Sequence, residues 1–263
     1  MEKKIQYVED LLIKREKVFS GGSYNLLIHS VLNTINLNKL VLYYLTLHDS
    51  TLKRSIESNI YKRFELVKRP KVQYENLVKI LENADYRKRQ KLRKLQFALL
   101  PRLNKLYYQD FFNTYYFSNY INDISAALKI CDKVWDDSLN ELILKDYLNT
   151  GYELLLKLFL DYGNLNQLLL HIDKIWQWNP SNYLKIKIVR KVSPKNIDKL
   201  SFLRHEEPEK YLLGLSISEK KISDEIITDC FNDITSDMIP YGLLSLSKLK
   251  KWDLIEKEII KHI

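Results

Sequence analysis

Residues 152–182 read YELLLKLFLDYGNLNQLLLHIDKIWQWNPSN. Lys157 interrupts an apolar run from Leu154 to Leu160, and Gly163 stands where a helix can end. The tetrapeptide DKIW, Asp173 to Trp176, repeats the DKVW of Asp132 to Trp135 at an offset of 41 residues, and Leu128 and Leu169 agree in the same register. KKWD, Lys250 to Asp253, places its tryptophan 76 residues after Trp176, near two further periods. A period close to 40 that holds two helices is the mark of an α-solenoid. The expected fold class is therefore all-α, a right-handed superhelix of antiparallel helix pairs.

Upstream, the same 3.6-residue spacing recurs. Lys3 to Phe19 sets Ile5, Val8, Leu12 and Phe19 at helical intervals, and Tyr24 to Ile35 does so with Leu27, Ile28, Val31 and Ile35. Asn38 to Leu47 is short and almost wholly apolar, as a central helix would be. Thr51 to Val67 puts Leu52, Ile56, Ile60, Phe64 and Val67 on one face, Pro70 marks its end, and Lys71 to Leu81 follows. Ser20 to Ser23, SGGS, reads as a hinge between the first two helices. Downstream, Ser138 to Glu141, SLNE, has the form of a capping box. Ser193-Pro194 reads as an N-cap before a first-turn proline, Pro208 as a helix start, and Pro240 as a start or a kink. Gly151 stands at another helix end, and the last helix begins at Asp253. No segment alternates as a strand would, and the expectation is about a dozen helices of roughly ten to twenty residues.

Composition bounds the class of protein. With 263 residues, 46% hydrophobic and 29% charged, the chain can bury a substantial core and is not disordered in composition. No apolar run approaches the roughly 18–20 residues of a membrane span, so no membrane partner is expected. The N-terminal mixture of acids and bases lacks the pattern of a signal or transit peptide, which leads to the expectation of a soluble, intracellular and cytoplasmic protein. Cys131 and Cys230 have no partner spacing and read as small core residues. Six glycines and six prolines leave few loops, and SGGS lacks the lysine and hydroxyl of a P-loop. No cofactor, metal site or small-molecule substrate is inferred.

Tyr152 to Asn182 resembles a tetratricopeptide repeat (TPR). Tyr152 stands at the aromatic position near the start of the first helix, Leu155 at its large apolar position, and Phe159 at its later aromatic. Gly163 matches the glycine of the inter-helix turn and Pro180 the closing proline. Leu156, Leu168 and Ile175 replace the small residues of the standard repeat. The preceding unit, Phe111 to Trp135, keeps a small residue at Ala127 but has Asn122 where the glycine would be. The resemblance spans roughly 108–182. It implies paired helices that pack more loosely than the standard repeat, with HEAT-like geometry as the alternative. A single repeat domain over 1–263 is expected, with a basic half to about 106 and a TPR-like half from 107.

Charge singles out one helix. Arg87 to Lys94 packs six basic residues into eight positions, and no acid occurs between Asp85 and Asp110. Lys53 to Lys105 holds sixteen Lys and Arg against five Asp and Glu, a net +11 in a chain of +9, which leaves −2 elsewhere. On a helix, Leu92, Leu95, Leu99 and Leu103 form a core stripe. Arg87, Lys91, Lys94, Arg102 and Lys105 form an adjoining row spanning about 27 Å if the helix continues through Pro101. Arg89 and Arg93 lie on the far side and are secondary candidates. The row is the candidate contact for an anionic partner or nucleic acid, against a solvated face paired with acids such as Glu75 and Glu82.

Tyr107 to Tyr120 carries two aromatic rows: Tyr107, Phe111 and Tyr115, then Tyr108, Phe112, Tyr116 and Tyr120. Such rows are usually core, but beside a basic stripe Tyr108 and Tyr116 are secondary candidates for stacking bases. Trp135 to Asp137, WDD, could mimic the pocket of a HEAT-like nucleic-acid glycosylase, the enzyme class such a fold would allow. Helix-start chemistry explains it better. The five histidines lack ligand spacing, and no nucleophile has an identifiable base. The function expected is a non-catalytic scaffold for a protein partner, as a subunit or adaptor of a larger assembly, with RNA or DNA binding through the basic face as the alternative.

Overall fold

Short polar side chains that catch free amides set many of the helix starts. In the computed structural model, which describes residues 1–16 and 21–260, Asn36, Ser50, Asp85 and Asp136 each accept from a backbone N–H two or three positions on. Among the described residues every regular element is a helix, and none is long and apolar enough to cross a membrane. The chain divides into two compact units, Met1–Val134 and Trp135–Ile263.

The first unit contains α1 (Glu2–Glu16), α2 (Gly21–Asn33), α3 (Leu37–Thr46), α4 (Thr51–Leu66), α5 (Pro70–Leu81), α6 (Tyr86–Leu99), α7 (Lys105–Tyr116), α8 (Ile121–Leu128) and α9 (Cys131–Val134). Consecutive helices pair as α1/α2, α3/α4, α5/α6 and α7/α8, and α2, α4 and α6 pack in succession. The core is rich in tyrosine. Tyr44, Tyr74 and Tyr115 are buried, and each phenol donates a hydrogen bond: Tyr44 to Glu57 at 2.7 Å, Tyr74 to Asp110 at 3.1 Å, and Tyr115 to Gln96. The SGGS reading lies partly outside the described residues, as do the ends expected for the first and last helices.

The second unit contains α10 (Asp137–Thr150), α11 (Glu153–Tyr162), α12 (Leu165–Leu170), α13 (Ile172–Gln177), α14 (Asn182–Asn196), α15 (Leu203–Glu206), α16 (Pro208–Leu215), α17 (Asp224–Asn232), α18 (Ile239–Lys248) and α19 (Trp252–Ile260). Here α11, α14, α16 and α18 pack in succession, with α10, α17 and α19 beside α11, α16 and α18. At Gly214 α16 packs close against the end of α14 and the turn after it: a Cβ there would lie 2.6 Å from Ser193 Oγ and 2.7 Å from Ile197 Cδ1. Gly151 ends α10 at φ 64°, with the Trp178 ring where a Cβ would point.

Several expectations need correction. The start of α10 is capped by Asp136, whose carboxylate accepts from Leu139 N at 2.8 Å, so Ser138 is not the cap. Asp136 takes that role because it stands one position ahead of the first helical residue. Pro194 lies inside α14, near its end, and Ser193 is buried beneath Gly214. Pro208 does open α16, Pro240 stands in the first turn of α18, and Pro70 opens α5. The helices are more numerous and several are shorter than expected, because breaks such as the one at His171 divide apolar stretches. DKVW and DKIW each fall at a short helix that follows such a break, whereas Trp252 opens α19 and is largely exposed.

Candidate functional site

Helix α6 positions the basic row, and its leucines behave as core: Leu92, Leu95 and Leu99 are fully buried. The helix ends at Leu99, however, and a 3-10 turn, Leu100–Arg102, carries the chain into α7. Pro101 cannot donate to the helix ladder and closes it. The row is therefore not one continuous stripe, since Lys105 opens a different helix and Leu103 lies beyond the core stripe.

Most of the candidate cations hold the fold together. Lys91 Nζ donates to the carbonyls of Tyr44 and Leu45, each at 3.1 Å, and of Leu47 at 2.5 Å, closing the C-terminal end of α3. Cations are favoured at that end by the unpaired carbonyls and the helix dipole. Arg102 serves α4 in the same way, donating to Phe64 O at 2.5 Å. Arg89 and Arg93 converge on Asp123 of α8, which is completely buried. Arg89 Nε lies 2.6 Å from that carboxylate, Arg89 also donates to Thr114 O at 3.1 Å, and Ser118 Oγ completes the carboxylate's shell at 2.9 Å. The acid that answers these arginines is thus Asp123; Glu75 instead faces Lys71 and the Tyr107 hydroxyl, and Glu82 is exposed. Arg87, Lys94 and Lys105 form no ion pair among the described residues and are exposed.

The aromatic candidates separate in the same manner. Phe111, Phe112, Tyr115 and Tyr116 are buried, with Tyr116 stacked on Phe112 at 4.8 Å, so Tyr116 is a core residue and cannot receive a base. Tyr108 is half-buried.

Three concave features open to solvent, one of them at the basic candidates. In the first unit, a pocket of about 340 Å³ under the α3–α4 turn is lined by His48, Asp49, Lys53, Arg87, Lys91 and Lys94. Burial, and then the neighbouring charges of Lys53 and Arg87, push the Lys91 ammonium below its ordinary pKa. In the second unit, α14, α16 and α18 flank a groove whose apolar floor includes Ile186, Leu213, Tyr241 and Leu244, with Arg190 and Lys248 on its rim. Tyr241 and Leu244 are each 58% exposed. A larger open groove, about 910 Å³, lies over α10 and α13 and is lined by Glu141, Lys145, His171, Lys174 and Trp178 among others. No side-chain hydrogen bond joins any two of those five.

Elsewhere the chemistry is structural. Asp136 caps α10, Asp137 is the first residue of that helix, and Trp135 packs against Tyr162 at 5.4 Å. Both cysteines are buried, and burial pushes the Cys131 thiol up to about 12 and the Cys230 thiol to about 11. Glu207 accepts from Trp176 Nε1 at 3.0 Å and from Lys185 at 2.6 Å, and it also pairs with the buried Lys210. Burial opposes its charge, yet the hydrogen bonds and charges of Lys185 and Lys210 hold its carboxyl below the ordinary value. Among the described residues no cluster of His, Cys, Asp and Glu could hold a metal ion. No family model, curated protein or solved structure matches the chain.

Proposed function

We propose that the protein is a non-catalytic helical-repeat scaffold that binds a protein partner, as a subunit or adaptor of a larger assembly. The observation that carries this reading is the open groove between α14, α16 and α18, where Tyr241 and Leu244 turn large apolar surface to solvent. The succession of α11, α14, α16 and α18 supports a solenoid of antiparallel helix pairs, TPR-like or HEAT-like, in this unit. Stacked pairs of this kind present a shallow, extended surface suited to a peptide or helix. With Arg190 and Lys248 on the rim, the segment that fits is apolar on one face and acidic at its edges.

The test is affinity capture from the protein's own cells, with wild type beside Tyr241→Asp/Leu244→Asp. The expected result is a stoichiometric partner retained by wild type and lost by the variant, whose melting temperature stays within a few degrees of wild type. A partner retained equally by both proteins, or a wild type that elutes alone as a monomer, overturns the reading.

Nucleic-acid binding is the second reading, favoured by the unpaired charges of Arg87, Lys94 and Lys105. It predicts that log K for single-stranded RNA falls with log salt, and that the slope shrinks when Arg87 and Lys94 become Glu. Absence of RNA binding at low salt would remove it.

A further inference from the structure

We propose that the pocket under the α3–α4 turn is a binding site for a small phosphoryl compound, one that ends in a phosphate dianion or a diphosphate. This goes beyond the scaffold reading and does not depend on it. Four cations line the pocket, Lys53 from α4 and Arg87, Lys91 and Lys94 from α6. The lining carboxylate, Asp49, lies 3.3 Å from Lys53 and is 86% exposed, so it neutralises little beyond that one lysine. With His48 neutral the lining carries a net charge of +3.

Lys91 is a fixed charge. An ammonium has three N–H donors, and three backbone carbonyls take them. It therefore cannot swing away from its neighbours, and it offers a ligand positive charge and no hydrogen bond. Arg87 and Lys94 are seven residues apart on α6, two turns along one face, and both side chains are free to reach inward. Arg87 supplies the planar fork that pairs with two phosphate oxygens, and Lys94 a mobile point charge. Lys53 is only 21% exposed, so its charge is partly removed from water and its attraction to an anion is less screened. Burial is the main cause of the lowered pKa of Lys91; the like charges of Lys53 and Arg87 add to it and Asp85 and Glu57 offset it in part, so an anion beside this cluster relieves the repulsion. The volume, about 340 Å³, is at the small end of ligand sites and suits a compact anion.

Calorimetric titration of the full chain with inorganic pyrophosphate, at constant low ionic strength, tests the site. Saturable one-to-one binding is expected. Arg87→Ala and Lys94→Ala should each weaken it about ten-fold or more, since each removes a charge-assisted contact. Both positions are exposed on a helix where alanine is favourable, and circular dichroism will verify the fold. Lys105→Ala, outside the pocket, should bind as wild type does. No saturation by wild type, or equal weakening by Lys105→Ala, overturns the proposal. A 5′-hydroxyl single-stranded RNA is added as a competitor. RNA that displaces pyrophosphate with a steep salt dependence would make the pocket a strand contact, and this too overturns the proposal in favour of the phosphodiester source.

Discussion

Asp123 has no exposed surface, and a lone buried carboxylate would be expensive to keep ionised. Arg89, Arg93 and Ser118 make it affordable by pairing and hydrogen bonding. Removing one partner of such a cluster leaves uncompensated charge behind. Asp123→Asn should therefore cost about 3 kcal/mol, read as a lower urea midpoint with little change in slope. A loss under about 1 kcal/mol would show that the arginines find other acceptors. Glu207 makes a related prediction with a pH signature. Its folded carboxyl titrates below the ordinary value of 4.5, so its contribution is complete above that value and is lost as pH falls through the folded pKa. Glu207→Gln should be about 2 kcal/mol less stable than wild type at pH 7, and the gap should close on acidification below pH 4.5. A gap that is constant from pH 7 to pH 3 would mean that the charge of Glu207 is not what the lysines and Trp176 need.

At the scale of elements, close approach decides packing. Gly214→Ala inserts a methyl group within 3 Å of Ser193 Oγ and Ile197 Cδ1, so these side chains or the spacing of α14 and α16 must shift. The cost should be about 1–3 kcal/mol, although alanine is the better helix former. A thermal melt that matches wild type would show that this crossing can relax. The helices themselves were legible from the 3.6-residue spacing of Ile56, Ile60 and Phe64, or of Leu92, Leu95 and Leu99, all fully buried. Their boundaries were less so. Asp136 and Ser138 both look like caps, and only the direction of the chain before α10 chooses between them. Pro194 stands near the end of α14 although Ser-Pro has the form of a helix start, and nothing local reveals that Ser193 lies beneath a glycine 21 residues on. The basic row was legible as charge and not as use. Lys91 and Arg102 close helices 47 and 38 residues back, and Arg89 answers an acid 34 residues ahead, relations that exist only once α3, α4, α6 and α8 have packed. Asp123 on its own resembles an ordinary first-turn acid.

For the whole molecule, the basic excess in 53–105 proves to be partly internal mortar; of the basic row, Arg87, Lys94 and Lys105 remain exposed and in no ion pair among the described residues, as do Arg54, Lys62, Lys68, Arg69 and Lys79 of the same region. A different property follows from the buried tyrosines. Burial pushes the phenols of Tyr44, Tyr74 and Tyr115 far above their ordinary value of 10.0, with carboxylates beside Tyr44 and Tyr74 adding to the effect, and pushes Tyr147 up to about 12. An unfolded chain releases those protons near pH 10 and the folded one does not. Stability therefore falls as pH rises above that point, by about 1.4 kcal/mol per pH unit for each phenol. The three in the first unit together amount to about 4 kcal/mol per pH unit, close to the size of a small domain's whole stability. Alkali should thus act on this protein as a cooperative denaturant. A steep step in tyrosinate absorbance should coincide with loss of helical dichroism. A smooth absorbance curve with the helices intact would contradict it. Each core tyrosine acts as a latch that alkali opens only by opening the fold.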